Sequence, residues 1–394
     1  MPFPLKDGGE YSIYTSALSL LTQPDVEVKV LAMNTRKNWI DPSNLPTDFV
    51  VKTNFESVTV DTRIKPVPLL LNLFTTKSYF VDRFYNADFE AKLIGLLKKE
   101  TFDIIQLEHL YLCVYLKSIR ANFKGKVVLR AQNVEFKVWE SYLLGHNRLF
   151  EKVYLKIALR RLKKFELEMI HHLDGVINLS DEDRAIYQNI APNTSFATIP
   201  IGLNSCKSID LESREVKSSA IIVYHLGSMD WRPNLQGVLW FLTEVMPLLI
   251  ERYPAVKIRL AGKEMPDEIY AFEGSNLTVD GEVENAIEYQ KDKAILIVPL
   301  LAGSGIRVKI IEAMSLGKSI VSTSIGAQGI QYTNGKNILI ADDPKSFAKA
   351  IITCIQSPVL RTNLEKNGKS LIRETYSLKE VGKQKIAFYN QLES

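Results

Sequence analysis

The sequence predicts an α/β fold built from parallel sheets, and three observations support this. Short apolar runs with strand character alternate along the chain with segments of helical periodicity, as they do in βαβ units. The clearest unit occupies residues 294–329, where an apolar run, a glycine loop, a helical pattern and a second apolar run follow one another. The chain has 394 residues, 46% of them hydrophobic, which is enough for two domains with complete cores.

The apolar periodicity predicts the elements in chain order. We expect strands at residues 26–33, 57–60, 102–107, 126–131, 174–180, 220–226, 256–262, 277–283, 294–298 and 319–322. We expect helices at residues 10–21, 136–172, 235–252, 286–291 and 376–392. The acidic run Asp181-Glu182-Asp183 suits the first turn of a further helix, where the helix dipole favours negative charge.

Composition narrows the class of protein. A net charge of +4 is too weak to indicate nucleic-acid binding by itself. The three cysteines, Cys113, Cys206 and Cys354, show no paired spacing, so we expect reduced thiols in a cytoplasmic protein. The longest apolar runs, residues 66–74 and 294–302, are too short to cross a bilayer, and no signal peptide is visible.

The unit at residues 294–329 has the order expected of a phosphate site. Gly303 and Gly305 allow a ligand to approach the loop closely, and Ser304 between them is a candidate helix N-cap. Apolar residues then recur at helical spacing, namely Ile306, Ile310, Ile311 and Met314. Gly317 is placed to end this helix. The helix N-terminus would lie at the carboxyl end of a buried strand, where free N–H groups suit a phosphate.

Charged residues strengthen this interpretation without excluding a simpler one. Arg307 and Lys309 add two cations near the helix N-terminus, and Glu312 follows one turn later. The common phosphate loops are absent, because Val308 stands where the dinucleotide fingerprint requires a third glycine and no Gly-Lys-Ser/Thr occurs. On spacing alone, a buried βαβ unit whose glycines only make turns remains an open alternative.

The same stretch resembles the donor-binding signature of a known enzyme family. The matching positions are Pro299-Leu300, Gly303-Ser304-Gly305-Ile306-Arg307, Lys309, Glu312-Ala313-Met314, Gly317, Val321-Ser322-Thr323, Gly326 and Gly329-Ile330. On these positions the chain is similar to the retaining glycosyltransferases of family 4, which have the GT-B fold. The resemblance implies two Rossmann-like domains that face each other across a cleft. It also implies a transferase that moves a sugar from a UDP- or GDP-linked donor to a glycan or lipid-linked acceptor, without a metal or cofactor.

Further stretches extend the resemblance over nearly the whole chain and divide it. Residues 1–204 correspond to an N-terminal acceptor-binding domain, and the serine-rich residues 205–219 to a linker. Residues 220–375 correspond to the donor-binding domain, and residues 376–394 to a helix that crosses back onto the first domain. The resemblance suggests cell-surface polysaccharide synthesis at the inner face of the cytoplasmic membrane.

The first glycines resemble the family's N-terminal glycine loop. Gly8 and Gly9 open the first predicted helix, so their N–H groups are candidates to face the phosphate or sugar of the donor. A simple turn is the alternative. Relatives have a parallel strand before this loop, and almost no sequence precedes the loop here. Either the reading frame starts late or the protein lacks its first central strand, and we expect the former.

Three further candidates lie in the N-terminal half. His109 follows the strand at residues 102–107, and relatives often place a histidine there, near the donor sugar. Asn133 and Glu135 follow the strand at residues 126–131 and are candidates for hydrogen bonds to acceptor hydroxyls. Gln132 stands where relatives commonly have histidine, so that position transfers no proton. Ordinary hydrogen bonding by His109, and helix capping by the other two, are the alternatives.

The segment between Arg148 and Lys164 is rich in basic residues on a helical pattern. Relatives use such a patch to lie on anionic membrane, where lipid-linked acceptors reside. A solvated helix face explains the pattern equally well.

In the second half, the resemblance implies three further donor contacts. Ser228, in the segment Gly227-Ser228-Met229-Asp230-Trp231-Arg232-Pro233-Asn234, is a candidate for the phosphate, and backbone groups near Val283 for the base. Glu312 is expected to bind the ribose hydroxyls. Many relatives carry two glutamates eight residues apart; Glu312 corresponds to the second, and Ser304 stands in place of the first. We therefore expect the loop N–H groups and the Ser304 hydroxyl to recognise the sugar.

The catalytic residues implied are His109, Arg307 and Lys309, with the two cations stabilising negative charge on the departing diphosphate. Two rival functions stay open: a nucleotide-sugar epimerase on the same fold, and a non-catalytic protein that binds sugar nucleotides or glycans. A dehydrogenase is disfavoured because neither half has the three-glycine fingerprint.

Overall fold

A computed structural model of the chain describes residues 1–2, 8–36, 39–72, 74–144, 149–204, 221–303 and 305–393. These residues form two compact units. Unit 1 comprises Met1–Gly202 and Leu378–Ser394, and unit 2 comprises Leu203–Ser377. The segment predicted as a linker, residues 205–219, lies outside the described residues.

Unit 1 contains two parallel sheets. The smaller pairs β1 (Leu31–Thr35) with β2 (Glu56–Val60). The larger has the order β3-β4-β5-β6, with strands Ile104–Leu107, Lys126–Ala131, Gly175–Asn178 and Ser195–Thr198. Every residue of β5 is buried, as is typical of a parallel sheet covered on both faces.

Nine α-helices precede unit 2 among the described residues of unit 1. In chain order, α1 to α9 are Gly8–Leu21, Thr47–Lys52, Pro66–Asn72, Tyr79–Asp82, Ala87–Lys99, Leu116–Asn122, Glu135–Leu144, Leu149–Ile170 and Asp181–Gln188. A 3₁₀ segment, Leu110–Tyr115, follows β3. None of the helices in the described ranges of the chain is long and apolar enough to cross a membrane.

Unit 2 is built on one parallel sheet with the strand order β12-β11-β10-β7-β8-β9. Strands β7 to β12 are Ile222–Leu226, Lys257–Ala261, Leu277–Gly281, Ile295–Val298, Ser319–Ser322 and Leu339–Ile340. Helices α10 to α16 are Arg232–Trp240, Met246–Arg252, Asp267–Tyr270, Ala286–Gln290, Val308–Ser315, Pro344–Gln356 and Pro358–Leu371. The chain runs outward from β7 to β9 and then returns to the other side of β7 at β10. The loops after β7 and β10 therefore flank the point where the strand order reverses, where open α/β sheets bind ligands.

Side-chain caps explain where several helices begin. Asn86 accepts a hydrogen bond from the N–H of Phe89 at the start of α5, and Ser180 accepts one from Asp183 at the start of α9. Asp343 caps α15 in the same way. The acidic first turn predicted for residues 181–183 is confirmed, because these residues open α9.

The last helix, α17 (Leu378–Glu393), belongs to unit 1. Its residues Phe388 and Tyr389 are buried in one cluster with Val128 of β4 and Ile177 of β5. Gly382 is required where α17 meets α1, because a Cβ there would clash with the carbonyl oxygen of Ser19. Residues of both ends of the chain thus share one core.

The predicted α/β fold with parallel sheets is confirmed, and two strands, residues 126–131 and 319–322, have the predicted bounds. The strand predicted at 26–33 is wrong in position, because β1 covers Leu31–Thr35. Its partner β2 begins only after Asn54, whose φ of 42° turns the chain, so most residues before Leu31 have no strand opposite them.

Two predicted helices are interrupted. The helix predicted at 136–172 is two helices, α7 and α8, and the residues between them, 145–148, lie outside the described ones. The helix predicted at 235–252 contains a π-helical turn, Phe241–Val245. Pro247 explains it, because proline has no N–H to continue the α-helical ladder.

A cavity of about 980 Å³ lies between the two sheets of unit 1. Residues of β1 and β3 line it on two sides, and α1 and α17 contribute Ile13, Leu20 and Ile386. In the described part of unit 1, β1 pairs only with β2, and β3 only with β4. The other edge of each strand therefore has no neighbouring strand; Met1 donates one hydrogen bond from its amino group to Met33 O, at 3.2 Å.

Candidate functional site

The loop between β10 and α14 is longer than the sequence predicts. The structure begins α14 at Val308, not directly after the glycine loop, and Ile306 lies in the loop rather than in the helix. The cause is the backbone of Gly303 and Gly305, whose φ values of 122° and 82° lie outside the right-handed helical region. Ser304, predicted as N-cap and sugar ligand, lies outside the described residues. Arg307 occupies the N-cap position instead.

The end of α14 is as predicted. Gly317 has a φ of 67° and follows the last helical turn. Its N–H donates to Met314 O at 3.0 Å, and the N–H of Lys318 donates to Ala313 O at 2.9 Å. This is a Schellman motif, which needs a residue tolerant of left-handed backbone at the position of Gly317.

Arg307 is folded back onto its own loop. Its side chain is buried, and Nη1 donates to Gly305 O at 2.6 Å. The guanidinium carbon lies 5.1 Å from the ring centre of Trp231, which comes from the loop after β7. A Cβ on Gly303 would lie 2.8 Å from Nη2, so this packing requires glycine. Burial lowers the pKa of Arg307 to about 10, which leaves the guanidinium charged at neutral pH.

Lys309 reaches from the first turn of α14 to the end of β7. Its Nζ donates to Oδ1 of Asn234 at 3.1 Å. A Cβ on Gly227 would lie 2.5 Å from this Nζ, so the glycine leaves room for the ammonium group. Burial, assisted by the charge of Arg307, lowers the pKa of Lys309 to about 7, and Glu312 opposes the shift.

Glu312 lies on the same helix, three residues beyond Lys309, and its side chain is partly buried. Burial raises the pKa of its carboxyl to about 7, and Lys309 opposes this shift. A carboxyl and an ammonium group with similar pKa values share one environment here. Either group therefore gains charge when a ligand supplies a partner for it.

His225 lies in the buried strand β7 next to this pair. Its Nδ1 lies 3.0 Å from Ile297 O of β10, and the ring is fully buried. Burial, and secondly the charge of Lys309, lowers the pKa of His225 to about 3, so the ring is neutral at physiological pH. His225, Trp231 and Asn234 were not identified from the sequence as site residues. The signals available were the position of His225 in a predicted strand, the position of Trp231 in the loop after it, and the family resemblance, in which many relatives have a pyrophosphate-binding lysine where Asn234 stands.

The remaining donor candidates of unit 2 lie at the same edge of its sheet. Ser228 directly follows β7, and its carbonyl oxygen accepts a hydrogen bond from Asn234 Nδ2 at 2.8 Å. Val283 follows β9, which ends at Gly281, two residues earlier than predicted. Because all strands of this sheet are parallel, their carboxyl ends share one edge. The structure thus places Ser228, Val283, the glycine loop and Lys309 at that edge.

In unit 1, His109 and Glu135 lie together. His109 follows β3, and its ring stacks on Tyr111 with centroids 4.5 Å apart. Its Nε2 lies 3.6 Å from Oε1 of Glu135, the first residue of α7. Tyr111 donates a hydrogen bond to the other oxygen of Glu135, at 2.9 Å. Glu135 is 6% exposed, so its carboxylate faces these two neighbours.

A second buried carboxyl, Glu166 of α8, supports this arrangement. It accepts hydrogen bonds from the backbone N–H groups of Glu135 and Phe136, both at 2.8 Å, and from the hydroxyl of Tyr187. Burial raises the pKa of Glu166 to about 7. The Glu166 carboxyl thereby caps the N-terminus of α7. Asn133, the other acceptor candidate, is half-buried, and its carbonyl oxygen accepts a hydrogen bond from Tyr187 at 3.4 Å.

Gly8 and Gly9 open α1 and are exposed. Arg130 of β4 contacts helix α1: it donates a hydrogen bond to Oγ of Ser12 at 2.9 Å and forms an ion pair with Glu108 at 3.0 Å. Lys385 of α17, fully buried, donates to Oγ of Ser16 at 2.6 Å. This polar network sets the position of α1 on the sheet of unit 1.

A glycine loop, one buried and one partly buried cation, and a carboxyl at the point of strand reversal form a site suited to a charged nucleotide, and the comparison with known families agrees. Residues 220–357 match the family described as glycosyl transferases group 1. Unit 2 therefore carries a domain similar to the group 1 glycosyl transferases, which supports a transferase activity.

Whole-chain relatives and solved structures extend this result. An uncharacterized 44.6 kDa protein in the cps region of Klebsiella pneumoniae is 25% identical over 400 residues, which cover 96% of this chain and 95% of that protein. Sucrose-phosphate synthase from Thermosynechococcus elongatus has a TM-score of 0.68 at 15% identity, over 98% of this chain and 94% of its own. Anabaena HepE in complex with UDP has a TM-score of 0.63 at 13% identity, over 98% of this chain and 96% of its own. These two likenesses show the fold alone, which is GT-B, with a Rossmann-like sheet in each unit.

Proposed function

We propose that the protein is a retaining glycosyltransferase of family 4 that transfers a sugar from a UDP- or GDP-linked donor to a glycan or lipid-linked acceptor. The observation that carries the proposal is the pair of cations, Arg307 and Lys309, at the start of α14 beside the glycine loop. Cleavage of a nucleotide sugar leaves a diphosphate on which negative charge grows in the transition state. Preorganised cations and N–H groups stabilise such charge most strongly in a partly buried site.

The donor would span unit 2 along the carboxyl edge of its sheet. The diphosphate would lie between Ser228 and the first turn of α14, and the ribose at Glu312. The base would lie near the backbone of Val283, and the sugar would meet the loop at residues 303–306. Anabaena HepE, a structural neighbour, has been solved with UDP and with UDP-glucose, which is consistent with this class of donor. Charge neutralisation by Arg307 and Lys309 makes the transfer independent of metal in this proposal.

Within unit 1, the candidates for binding the sugar and the acceptor are His109, Asn133 and Glu135, with the N–H groups of the exposed Gly8 and Gly9. Because retention requires the acceptor to attack the face that the diphosphate leaves, the departing phosphate itself can accept the proton of the acceptor. His109 would then act as a hydrogen-bonding partner of the donor sugar. The cps-region relative makes cell-surface polysaccharide the process that we propose.

The exposed face of α8 favours contact with an anionic membrane at the cytoplasmic side. Lys156, Arg160 and Lys164 lie on one face with the exposed apolar residues Val153 and Ile157. Basic residues attract anionic lipid headgroups, and apolar side chains among them enter the interface. Sedimentation with vesicles of phosphatidylglycerol and phosphatidylcholine tests this: replacement of the three basic residues by glutamine should release the protein. Binding equal to that of the wild type would assign the face to solvent.

A thermal-shift panel of UDP, GDP, ADP, CMP and their sugars tests the donor assignment, because a ligand that binds the native state raises the melting temperature. One nucleotide should stabilise the wild type and the exposed control variant Glu288→Ala, but not Glu312→Ala. Conversion of the sugar nucleotide without any acceptor would indicate an epimerase. Stabilisation by a nucleotide without turnover on any acceptor would indicate a binding protein. No stabilisation by any nucleotide would refute the proposal.

A further inference from the structure

We propose that Asn234 is a positioning residue that holds the ammonium group of Lys309 in place for the donor diphosphate, as a neutral partner that leaves its charge available. The inference rests on the proposed function of unit 2 and gives a role to Asn234, which was not among the predicted site residues and stands where many relatives have a pyrophosphate-binding lysine. A lysine side chain is a flexible stem with a point charge at its end. Its contribution to a transition state depends on where the ammonium is held before the reaction.

The orientation of the Asn234 amide follows from its neighbours. Nδ2 donates to Ser228 O at 2.8 Å, which is possible only for the nitrogen of the amide. Oδ1 must therefore be the atom that faces Lys309, at 3.1 Å. The backbone N–H of Asn234 donates to Trp231 O at 2.9 Å, and the residue is 5% exposed. Asn234 is thus fixed by three hydrogen bonds, one of them to the lysine.

Gly227, which directly follows β7, leaves the space for this contact. The position of a Cβ on Gly227 lies 2.5 Å from Lys309 Nζ, 2.8 Å from Asn234 Nδ2 and 3.1 Å from His225 Nε2. Three polar groups from β7, α10 and α14 therefore converge beside a backbone that has no side chain. The ammonium group lies at the end of a central strand, next to the loop in which a phosphate would bind.

The chemistry of the partner matters as much as its position. An aspartate at position 234 would form an ion pair with Lys309 and cancel the charge that the diphosphate needs. An amide oxygen accepts the hydrogen bond and cancels nothing. The other groups that face Lys309 are Arg307 in the loop, Glu312 on the same helix and neutral His225 in β7. Of these, only Glu312 supports the charged form of Lys309.

A neutral acceptor at position 234 predicts that two substitutions move the pH dependence of donor affinity in opposite directions. The pKa of Lys309 is lowered to about 7 in the free protein, so affinity for a diphosphate should fall as the pH rises through this range. Asn234→Ala removes an acceptor from the ammonium group and should move the fall to lower pH. Asn234→Asp adds a negative neighbour and should move it to higher pH, with weaker binding at pH 6. A residue that only supports the fold would move neither midpoint.

The experiment is titration calorimetry from pH 6 to pH 9 with UDP-glucose and GDP-mannose, whose diphosphate diesters do not titrate in this range. We expect Asn234→Ala to weaken binding of the active donor about tenfold at pH 7, as for loss of a hydrogen bond to a charged group. The matched control is Asn367→Ala in α16; this half-buried asparagine donates to Lys336 O, and the variant should bind as the wild type does.

A double-mutant cycle decides whether Asn234 acts through the lysine. In a Lys309→Met background, Asn234→Ala should cause no further loss of affinity. An equal tenfold loss in both backgrounds, or unchanged pH midpoints in both asparagine variants, would overturn the positioning role. Should Asn234→Ala lower the melting temperature strongly, Asn234→Asp carries the pH test, because it keeps the size of the side chain and an oxygen next to Lys309 and loses only the hydrogen bond to Ser228 O. Absence of binding by the wild type to either donor would instead refute the proposed function itself.

Discussion

Replacement of Arg307 by methionine should change the free energy of unfolding little while it lowers the rate of transfer strongly. The side chain is 6% exposed, and burial lowers the pKa of the guanidinium from 12.5 to about 10. A depression of this size corresponds to about 3 kcal/mol of folded-state destabilisation at neutral pH, since one pKa unit is about 1.4 kcal/mol. The penalty applies in full below pH 10 and disappears as the pH rises from the folded pKa towards the unfolded one.

Methionine removes this penalty and also the contacts that oppose it. The hydrogen bond to Gly305 O contributes about 1.5 kcal/mol or more, and the contact with Trp231 about 1 kcal/mol. We therefore expect the free energy of unfolding to stay within about 2 kcal/mol of the wild-type value. The rate of transfer should nevertheless fall about 10²–10³-fold, the usual cost of one lost transition-state donor.

The assay combines urea unfolding with steady-state kinetics on the donor identified by the thermal-shift panel. A loss in kcat larger than the loss in donor affinity would assign Arg307 to the transition state. The exposed control Arg252→Met should change neither quantity. A fall in unfolding free energy of more than about 3 kcal/mol would refute this reasoning, because the arginine would then be part of the structural core of the loop.

Three further predictions follow from the same structure. Glu312→Ala should weaken nucleotide binding by about 1.5–3 kcal/mol, measured by calorimetry against Glu288→Ala; unchanged affinity would remove Glu312 from the site. Because burial raises the pKa of Glu166, the free energy of unfolding should fall as the pH rises from about 4.5 to about 7. In urea unfolding, Glu166→Gln should remove this pH dependence, and its persistence in the variant would assign it to other groups. Gly237→Ala should lower the free energy of unfolding by about 1–3 kcal/mol, because the new Cβ would clash with Pro299 O. The control Gly274→Ala has open space around it and should be nearly neutral, and equal effects of the two substitutions would show that the contact relaxes.

Apolar runs predicted the sheets well because burial on both faces leaves a continuous signal in the sequence. Residues 126–131 and 319–322 are central strands with buried side chains, and their bounds follow directly. Residues 26–33 failed because strand pairing depends on a partner, β2, which is distant in sequence. A single-chain pattern does not contain that information.

The candidate site shows the same division. Arg307, Lys309 and Glu312 were identified because cations after a glycine loop have a local pattern. Asn234 and Trp231 were not, because their role depends on contacts with residues more than 70 positions away. The start of α14 was misplaced since the φ values of Gly303 and Gly305 override the helical periodicity that begins at Ile306. Side-chain partnership across the sheet is a tertiary property that periodicity does not encode.

The open edge of β1 has a consequence for how unit 1 fluctuates. Among the residues that the structure describes, β1 pairs with a strand on one side only, and a cavity of about 980 Å³ separates it from the larger sheet. Few ladder hydrogen bonds must break for β1 and β2 to detach together. In native-state amide exchange, their N–H groups should therefore exchange by a sub-global opening, well before those of β4 and β5. Unit 1 would then behave as two cooperative segments of unequal stability rather than as one.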